Sequence, residues 1–268
     1  MTVYYAVIGN PIEHSKSPQI HSLFAEQTGE QIRYGRLWSP QEGFAVVAEA
    51  FFCGGGHGLN VTVPFKEDAW QVASKLSERA RAAEAVNTLR RESDGLLWGD
   101  NTDGVGLLRD LRDNLGIVVF GKRVLVLGAG GAARGVMPEL LTEQPAEVVI
   151  ANRTRQRADE LGLMFPEVIP CGLDDIPGRH FDMVINTTAA GLQGEMPELP
   201  EDLLSAGGVC YDLVYADIDT PFMAWARRHG AAQVADGLGM LVEQAAESFY
   251  QWRGVRPATT PVIKALRS

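Results

Sequence analysis

The chain has 268 residues and a formal net charge of −10, with 46% hydrophobic and 22% charged residues. These values indicate a folded protein of one large or two small domains, and they exclude wholesale disorder and a collagen-like fold. The acidic balance argues against a nucleic-acid partner. No apolar run reaches the roughly 18 residues that a membrane helix needs, so no membrane partner is expected.

The N-terminal residues and the cysteines bear on location. The first residues, MTVYYAVIGNPIEHSKSP, show no basic region followed by an apolar stretch, so we expect no signal peptide. The three cysteines are odd in number and far apart, at Cys53, Cys171 and Cys210. This spacing argues against a disulfide framework or a zinc site, and the histidines also lack metal-ligand spacing. We therefore predict a cytoplasmic protein without a metal.

Strands and helices are expected to alternate over the first hundred residues. The predicted strands are Val3–Ile8, Gly58–Val63, Ala85–Leu89 and Gly95–Gly99, the last two joined by a turn at Ser93-Asp94-Gly95. A first helix is predicted with Ser17 as N-cap and Pro18 at its first position. A capping box at Ser39-Pro40-Gln41-Glu42 predicts a second helix, and a third is expected over Lys66–Leu76.

The pattern changes near residue 105 to a regular strand–helix alternation. A helical stripe is formed by Leu107, Leu108, Leu111 and Leu115. The predicted strands that follow are Arg123–Leu127, Glu147–Ala151, Asp182–Asn186, Gly208–Leu213 and Ala232–Ala235. Helices are predicted through Leu141, over Thr154–Phe165 and 238–253, and from Thr220 and Thr260. Such a rhythm predicts a parallel sheet with helices on both faces. We infer one lobe at 1–104 and a second at 105–237, with the final helices free to pack on either.

A glycine turn follows the strand Arg123–Leu127 and opens a helix. Its sequence fits G-x-G-x-x-G/A and comprises Gly128, Ala129, Gly130, Gly131, Ala132 and Ala133. Within a strand–helix–strand unit this motif is typical of dinucleotide binding, with the pyrophosphate at the helix N-terminus. The alternative is a turn that only packs helix against strand, without a ligand.

The end of the next strand discriminates between two cofactors. An NAD site usually has an acidic residue there, on the ribose 2′-hydroxyl. This chain has Asn152, Arg153 and Thr154 instead, and Arg155 and Arg157 add positive charge. A guanidinium suits a 2′-phosphate, so the prediction is NADP rather than NAD. The alternative is that Thr154 is only an N-cap and the arginines are a solvated helix start.

Polar residues of the first lobe gather at strand ends and helix starts. Ser15 and Ser17 carry hydroxyls suited to a carboxylate, and Lys66 follows a strand that ends near Thr62. Taken singly, each residue also has a plain structural explanation. Lys66 is then a solvated lysine at a helix start, Ser17 is an N-cap, and an acidic residue in a helix's first turn favours its dipole.

The motifs together resemble the shikimate dehydrogenase family over nearly the whole chain. The carrying segments are Gly9-Asn10-Pro11, Ser15–Pro18, Asn60–Lys66, Ala85–Thr88, Gly99–Gly104, the glycine turn, Asn152–Thr154 and Asp236–Ala246. The resemblance implies an α/β protein of two lobes. An N-terminal α/β substrate domain (1–104), completed by helices 238–268, accompanies a doubly wound Rossmann-type NADP-binding domain (105–237). The implied activity is reversible NADPH-dependent reduction of 3-dehydroshikimate to shikimate, a step of aromatic amino-acid biosynthesis.

The resemblance also implies roles for individual residues. Lys66 and Asp103 are expected to be the catalytic pair. The expected substrate-binding residues are Ser15, Ser17, Thr62, Asn87, Asp103, Tyr215 and Gln244. The expected cofactor-binding residues are Gly128, Ala129, Gly130, Gly131, Ala132, Asn152, Arg153, Thr154, Arg157, Thr188, Leu213 and Gly237. Tyr215 and Gly237 would line the place where nicotinamide meets substrate, and a monomer or homodimer is expected.

Four departures from the family pattern keep alternatives open. Glu13 and Glu84 stand where the family usually has glycine or another small residue, Ala189 where it has serine, and Tyr215 lacks the usual downstream proline. Glu13 adds negative charge beside the expected carboxylate site. A related enzyme that uses quinate or has weak activity therefore remains an alternative. A non-catalytic NADP-binding sensor is a third, although Lys66 and Asp103 argue against it.

Overall fold

The computed structural model describes residues 2–178 and 180–267, and the chain divides into two compact units. The first unit is Met1–Arg109 with Leu241–Ser268, and the second is Asp110–Met240. The domain ranges from the sequence also include Met1, Arg179 and Ser268, which lie outside the described residues. Which unit binds substrate and which binds NADP stays a prediction at this point.

In the first unit, strands and helices alternate up to Arg109. The strands are β1 (Val3–Gly9), β2 (Ile32–Trp38), β3 (Gly56–Val61), β4 (Lys75–Leu76), β5 (Thr88–Arg91) and β6 (Leu97–Asp100). The helices are α1 (Ser17–Thr28), α2 (Phe44–Cys53), α3 (Lys66–Val72), α4 (Glu78–Ala83) and α5 (Asp103–Arg109). The sheet order is β2-β1-β3-β5-β6-β4. β5 runs antiparallel to its neighbours β3 and β6, and the other pairings in this sheet are parallel. The predicted pair of strands joined by the turn at Ser93-Asp94-Gly95 is confirmed as β5 and β6.

Two helix starts in this unit differ from the prediction. α2 begins at Phe44, and the capping box at Ser39 does not form because the Ser39 hydroxyl donates to the Pro40 carbonyl instead. α1 begins at Ser17, with Lys16 at the capping position and no side-chain cap bond. Ser17 is therefore the first helical residue rather than the N-cap.

Strand β2 was missed in the sequence, and α3 is shorter than predicted. β2 lies at the edge of the sheet and leaves much of its surface exposed, so it lacks the apolar run of a buried strand. The segment Lys75–Leu76, expected as the end of α3, pairs with β6 as a short parallel strand. The helix accordingly ends at Val72.

The second unit contains a fully parallel sheet. Its strands are β7 (Arg123–Leu127), β8 (Glu147–Asn152), β9 (Val168–Gly172), β10 (Phe181–Asn186), β11 (Leu204–Asp212) and β12 (Gln233–Ala235). Its helices are α6 (Gly131–Thr142), α7 (Arg155–Met164) and α8 (Pro221–Arg228). The order β12-β11-β10-β7-β8-β9 begins at the centre and winds outward both ways, as in dinucleotide-binding folds. The edge strand β9 was not predicted.

The chain returns to the first unit through α9 (Leu238–Arg253) and α10 (Thr260–Arg267). The range of α9 was predicted from its amphipathic pattern. Its apolar face is fully buried at Val242, Ala245, Ala246 and Phe249. The Phe249 ring lies 5.7 Å from that of Phe24 in α1, which anchors the helix within this unit.

Candidate functional site

The side chains of Lys66 and Asp103 form an ion pair in the first unit. Lys66 is the first residue of α3 and Asp103 the first of α5. The Lys66 Nζ lies 2.5 Å from Asp103 Oδ2, and the two side chains are only 15% and 6% exposed. A solvated lysine would be free in water, so this burial argues against the plain structural explanation of Lys66.

Asn87 fixes the other side of the Asp103 carboxylate. Its Nδ2 donates to Asp103 Oδ1 at 2.7 Å and to Thr102 Oγ1 at 2.9 Å. Its Oδ1 accepts from the Thr102 backbone N–H at 2.9 Å. Each Asp103 oxygen thus has its own donor, because Asn87 holds one and Lys66 the other.

The helix α9 brings Gln244 to the same cluster from far along the chain. Asn87 Nδ2 lies 3.3 Å from Gln244 Oε1, and Gln244 Nε2 donates to the Leu241 carbonyl at 2.8 Å. Ser248, one turn later, contacts Thr102 Oγ1 at 3.3 Å. Gln244 is half-buried rather than on the surface. The structure therefore brings together four predicted residues, Lys66, Asn87, Asp103 and Gln244.

An ion cluster that the sequence analysis missed holds α9 in place. The nearly buried Glu247 accepts from Arg109 at 2.8 Å and from Arg256 at 2.6 Å. Burial raises the pKa of Glu247, but the hydrogen bonds and charges of Arg256 and Arg109 outweigh it and lower the pKa to about 2. Arg79 bridges Glu247 and the fully buried Asp100. No sequence spacing reveals this cluster, since its members are far apart.

The predicted carboxylate-binding serines lie at the start of α1. The Ser15 hydroxyl donates to Ser17 Oγ at 3.2 Å and accepts from the Ser17 N–H at 3.3 Å. Thr62 is half-buried between β3 and α3, and its N–H donates to the Ile8 carbonyl at 2.9 Å. A Cβ on Gly9 would lie 2.5 Å from Thr62 Cγ2, so only glycine permits this approach.

A buried layer that was also missed lies around Asn60. The Tyr34 hydroxyl donates to Asn60 Oδ1 at 2.6 Å, and Asn60 Nδ2 donates to Ser248 Oγ at 2.9 Å. The His21 ring stacks on Tyr34 at 4.1 Å, and burial lowers the pKa of His21 to about 3. Burial likewise raises the pKa of Tyr34. Both rings are therefore neutral, and their stacking packs strand β2 against helix α1.

In the second unit, the glycine turn has the conformation that a dinucleotide needs. Gly128 has φ +99°, and a Cβ there would lie 2.8 Å from Thr187 Oγ1. A Cβ on Gly130 would meet no atom within 4 Å, so the backbone is open to a close ligand. α6 begins at Gly131, Ala132 is half-buried in its first turn, and Ala133 is buried. The first N–H groups of this helix have no intrahelical acceptor and suit a pyrophosphate.

Two arginines follow β8 in the second unit, Arg153 in the loop after this strand and Arg157 in the first turn of α7. Asn152 Oδ1 accepts from the Ala129 N–H at 3.2 Å, which ties this loop to the glycine turn. Arg153, Thr154 and Arg157 are exposed, and within 2–178 and 180–267 neither arginine has a carboxylate within salt-bridge distance.

The neighbouring Arg155 and Thr154 behave differently from those two arginines. Arg155 pairs with Asp175 at 3.1 Å and with Asp159 at 3.7 Å, which fits the alternative of a solvated helix start for that residue. Thr154 occupies the cap position of α7 but makes no side-chain cap bond. Its hydroxyl is thus not committed to the helix.

Buried polar residues tie together the loops after β10 and β11. The Thr188 N–H and hydroxyl both donate to Asn186 Oδ1, at 3.1 and 2.7 Å. Asn186 Nδ2 donates to Asp212 Oδ1 at 3.0 Å. Burial raises the pKa of Asp212, against the hydrogen bonds from Thr220, Val214 and Asn186. The loop of Thr188 is thereby fixed to the end of β11.

Gly237 is required by its neighbour Leu213. A Cβ on Gly237 would lie 2.1 Å from the Leu213 carbonyl oxygen, and the Gly237 N–H donates to the Val214 carbonyl at 3.2 Å. Tyr215 follows in the same loop and is half-buried. Thr188, Leu213 and Gly237 therefore belong to the same unit as the glycine turn, as does Tyr215.

Two of the departures have structural explanations. Glu84 ends α4 with φ +47° in the left-handed region, where glycine is favoured. Glu13 is exposed, and its Oε2 accepts from the Ile12 N–H at 3.1 Å. Ala189 is exposed just before a short 3₁₀ turn at Ala190–Gln193, and nothing in the structure explains its replacement of serine.

Among residues 2–178 and 180–267, no group of three His, Cys, Asp or Glu side chains is placed to hold a metal ion. In the same ranges, no helix combines the length and apolar character needed to cross a bilayer.

Comparison with known proteins gives matches along the whole chain. Residues 7–89 match the shikimate dehydrogenase substrate binding domain, residues 113–209 the shikimate/quinate 5-dehydrogenase family, and residues 237–267 the shikimate 5'-dehydrogenase C-terminal domain. The shikimate dehydrogenase (NADP(+)) of Halorhodospira halophila is 66% identical over 267 residues, covering 100% of this chain and 99% of the relative.

Solved structures share the fold at similar coverage. An enzyme from Pseudomonas putida is 45% identical with a TM-score of 0.91, covering 99% of this chain and 98% of that one. A shikimate 5-dehydrogenase of Thermus thermophilus, in complex with NADP(H) and shikimate, is 34% identical with a TM-score of 0.88 at the same coverage. The predicted two-lobed α/β fold class is confirmed. Sequence and structure agree that the chain belongs to the shikimate dehydrogenase family.

Proposed function

We propose that the chain catalyses the reversible, NADP-dependent reduction of 3-dehydroshikimate to shikimate, a step of aromatic amino-acid biosynthesis. The relative at 66% identity is named shikimate dehydrogenase (NADP(+)), and the Thermus structure holds NADP(H) and shikimate. Within the chain itself, the buried pair of Lys66 and Asp103 is the observation that carries the proposal. The chain is an oxidoreductase, and NADP is its cofactor.

The chemistry requires a proton as well as a hydride. The nicotinamide supplies or takes the hydride, and the protein must supply or take the proton at the substrate oxygen. Lys66 as an ammonium donates to the alkoxide oxygen formed from the ketone, and as a neutral amine it accepts the hydroxyl proton in the reverse direction. Lys66 Nζ donates to Asp103 Oδ2, and Asn87 Nδ2 donates to the other carboxylate oxygen, Asp103 Oδ1. The Asp103 carboxylate is thereby fixed, and it orients the ammonium group of Lys66. We assign the catalytic roles to this pair.

Substrate binding is assigned to the polar groups of the first unit and to one side chain of the second. Ser15 and Ser17 take the carboxylate at the start of the 12-residue α1, where the helix dipole favours an anion. The ring hydroxyls are assigned to Thr62, Asn87, Asp103 and Gln244. Tyr215 of the second unit is assigned as a further substrate contact. Asn87 and Gln244 already bond to each other, which supports their sharing one hydroxyl.

NADP binding is assigned to the second unit. The pyrophosphate is assigned to Gly128, Ala129, Gly130, Gly131 and Ala132, and the 2′-phosphate end to Asn152, Arg153, Thr154 and Arg157. The nicotinamide end is assigned to Thr188, Leu213 and Gly237. Two observations support placing the anionic groups of NADP at these residues. A Cβ on Gly130 would meet no atom within 4 Å, and the guanidinium of Arg153 is exposed, so both positions leave room for a phosphate.

The test is absorbance at 340 nm with shikimate or quinate, each with NADP or NAD. The expected result is fast reduction of NADP with shikimate as substrate, and slow or no reduction in the three other combinations. Comparable rates with quinate would identify the quinate-using relative, and low rates throughout the weakly active one. NADP binding without turnover of any of these acids would identify a non-catalytic sensor. Each outcome separates one alternative from the others.

We also propose an oligomeric state and a cellular compartment for the protein. We expect a monomer or homodimer in the cytoplasm, without nucleic acid. Cys53, Cys171 and Cys210 are unpaired, and burial raises the pKa of Cys171 to about 11 and of Cys210 to about 12, so these two thiols are unreactive. Free thiols fit a reducing compartment. Light scattering on the purified chain distinguishes one copy from two.

A further inference from the structure

The loop that carries Ser15 is held by an arginine from the edge strand β2. Arg36 Nη2 donates to the Ser15 carbonyl at 2.6 Å, and Arg36 Nε donates to the same oxygen at 3.2 Å. The Ser15 N–H donates to the Ile12 carbonyl at 3.1 Å. The Arg36 fork thus connects this loop to the sheet. Neither the strand nor the arginine was singled out in the sequence.

The charge of Arg36 has no carboxylate partner in the described part of the chain. Arg36 is exposed, and over the described ranges 2–178 and 180–267 it forms no ion pair with a carboxylate. The acidic residue of the loop, Glu13, accepts from the Ile12 N–H instead. The other ionisable residues of this loop are His14 and Lys16. In a chain of net charge −10, a guanidinium bonded to the Ser15 carbonyl leaves local positive charge on the loop to which the anion is assigned.

We propose that Arg36 is a positioning and specificity residue of the carboxylate site, which holds the Ser15 loop and favours a charged acid over a neutral ester. The proposal rests on the proposed function of this site. Two N–H groups on one carbonyl fix the backbone of Ser15, and Ser15 in turn contacts Ser17 Oγ at 3.2 Å. The guanidinium also attracts a carboxylate bound by these hydroxyls. Because Arg36 is exposed, a dielectric close to that of water applies, and one charge about 4 Å from a carboxylate changes affinity roughly fivefold.

Arginine and lysine separate the two parts of this role. Lysine keeps the positive charge but not the planar fork that binds one oxygen through two donors. Arg36→Lys should therefore retain the preference for the acid while the loop is held less firmly. Arg36→Ala should lose both. Side chains along a strand alternate between its two faces, so Arg33, three residues before Arg36 in β2, points to the opposite face. Arg33 is also exposed, and Arg33→Ala is therefore the matched control.

The experiment measures kcat and KM for shikimate and for its uncharged methyl ester, at saturating NADP and two salt concentrations. For Arg36→Ala we expect KM for shikimate to rise about tenfold at low salt, with kcat and KM for NADP nearly unchanged and KM for the ester rising much less. The difference should shrink at high salt because exposed charges are screened over about 10 Å. Arg36→Lys should keep most of the acid-over-ester ratio, and Arg33→Ala should behave as the wild type.

Two results would overturn the proposal. An unchanged KM for shikimate in Arg36→Ala removes any role at the site, and equal rises for acid and ester remove the charge selection. Failure of the proposed function is distinct, because the wild type itself would then not oxidise shikimate. Calorimetric affinities of the wild type and Arg36→Ala for the acid and the ester would then decide the role of Arg36 by the same ratio.

Discussion

In the first unit, the side chains of Lys66, Asp103, Asn87 and Gln244 are already joined by hydrogen bonds to one another. In the second unit, Arg153 in the loop after β8 and Arg157 in the first turn of α7 are exposed. The chemistry of proton transfer needs one fixed geometry, which is preorganised by neighbours. Recognition of a phosphate needs only charge and reach. Changes in this cluster of the first unit should therefore propagate between residues, and changes at the exposed Arg153 of the second unit should act more locally.

The largest effect is expected from Lys66→Ala. The loss of the proton donor should lower kcat about 10²- to 10⁴-fold, the range typical of general acid–base catalysis. The dissociation constant for NADP, measured by calorimetry, should stay within about twofold of the wild type because Lys66 belongs to the first unit. Lys75→Ala is the control, since Lys75 pairs with the exposed Asp94 and has no assigned role in the reaction. Turnover close to the wild type would contradict the catalytic assignment.

The ion cluster on α9 gives the next effect, through pH. The pKa of Glu247 is about 2 rather than 4.5, so its stabilisation is complete above pH 4.5 and is lost as the pH falls toward 2. Because Arg256 is 39% exposed and screened by water, we expect about 2 kcal/mol rather than the full shift. Urea unfolding should show Glu247→Gln less stable than the wild type at pH 6, with the gap narrowing below pH 4.5 and closing near pH 2. A gap independent of pH would contradict this assignment.

Arg153→Ala should show a smaller effect, confined to one cofactor. KM for NADP should rise about tenfold, with KM for NAD unchanged, because the role proposed for the guanidinium is a contact with the 2′-phosphate, which NAD lacks. The double change with Arg157→Ala should raise KM for NADP further, and its departure from the product of the two single effects measures the coupling between the two arginines. Arg155→Ala should change little, since Arg155 pairs with Asp175. Equal losses for NADP and NAD would exclude a 2′-phosphate role.

The smallest effect concerns the turn before Asn87. Glu84 has φ +47°, and glycine adopts this conformation without the steric cost of a Cβ. Glu84→Gly should raise the free energy of unfolding by about 0.5 kcal/mol, since part of the gain is offset by the freer unfolded chain. Glu84→Ala should give no gain, because alanine keeps the Cβ. Urea unfolding measures both, and a destabilised glycine variant would contradict the explanation of this departure.

Short sequence motifs and apolar periodicity correctly predicted several turns and helices, because these features depend on residues close together in the chain. The glycine turn at Gly128 and the start of α8 at Thr220 follow from short motifs, and the Thr220 hydroxyl does accept from the Met223 N–H. The extent of α9 follows from its apolar period. The capping box at Ser39 failed because the same hydroxyl found a nearer acceptor at Pro40.

Contacts between distant residues could not be read from spacing. Gln244 bonds to Asn87 across 157 residues, and only the resemblance to a known family placed them together beforehand. Glu247 and Arg36 carried no motif, so their roles emerged only from the folded chain. The left-handed backbone of Glu84 is likewise set by the end of α4 and not by the residue's own preference.

The first unit is assembled from two stretches of chain separated by residues 110–240. On a ribosome that adds about 5–20 residues per second, synthesis of that interval takes on the order of ten seconds. During this delay all the strands of the parallel sheet in the second unit are synthesised. Asn87 and Asn60 of the first unit still lack their hydrogen-bond partners Gln244 and Ser248, which are made later. We therefore expect each newly made molecule to complete its nucleotide-binding half before the half that performs the chemistry.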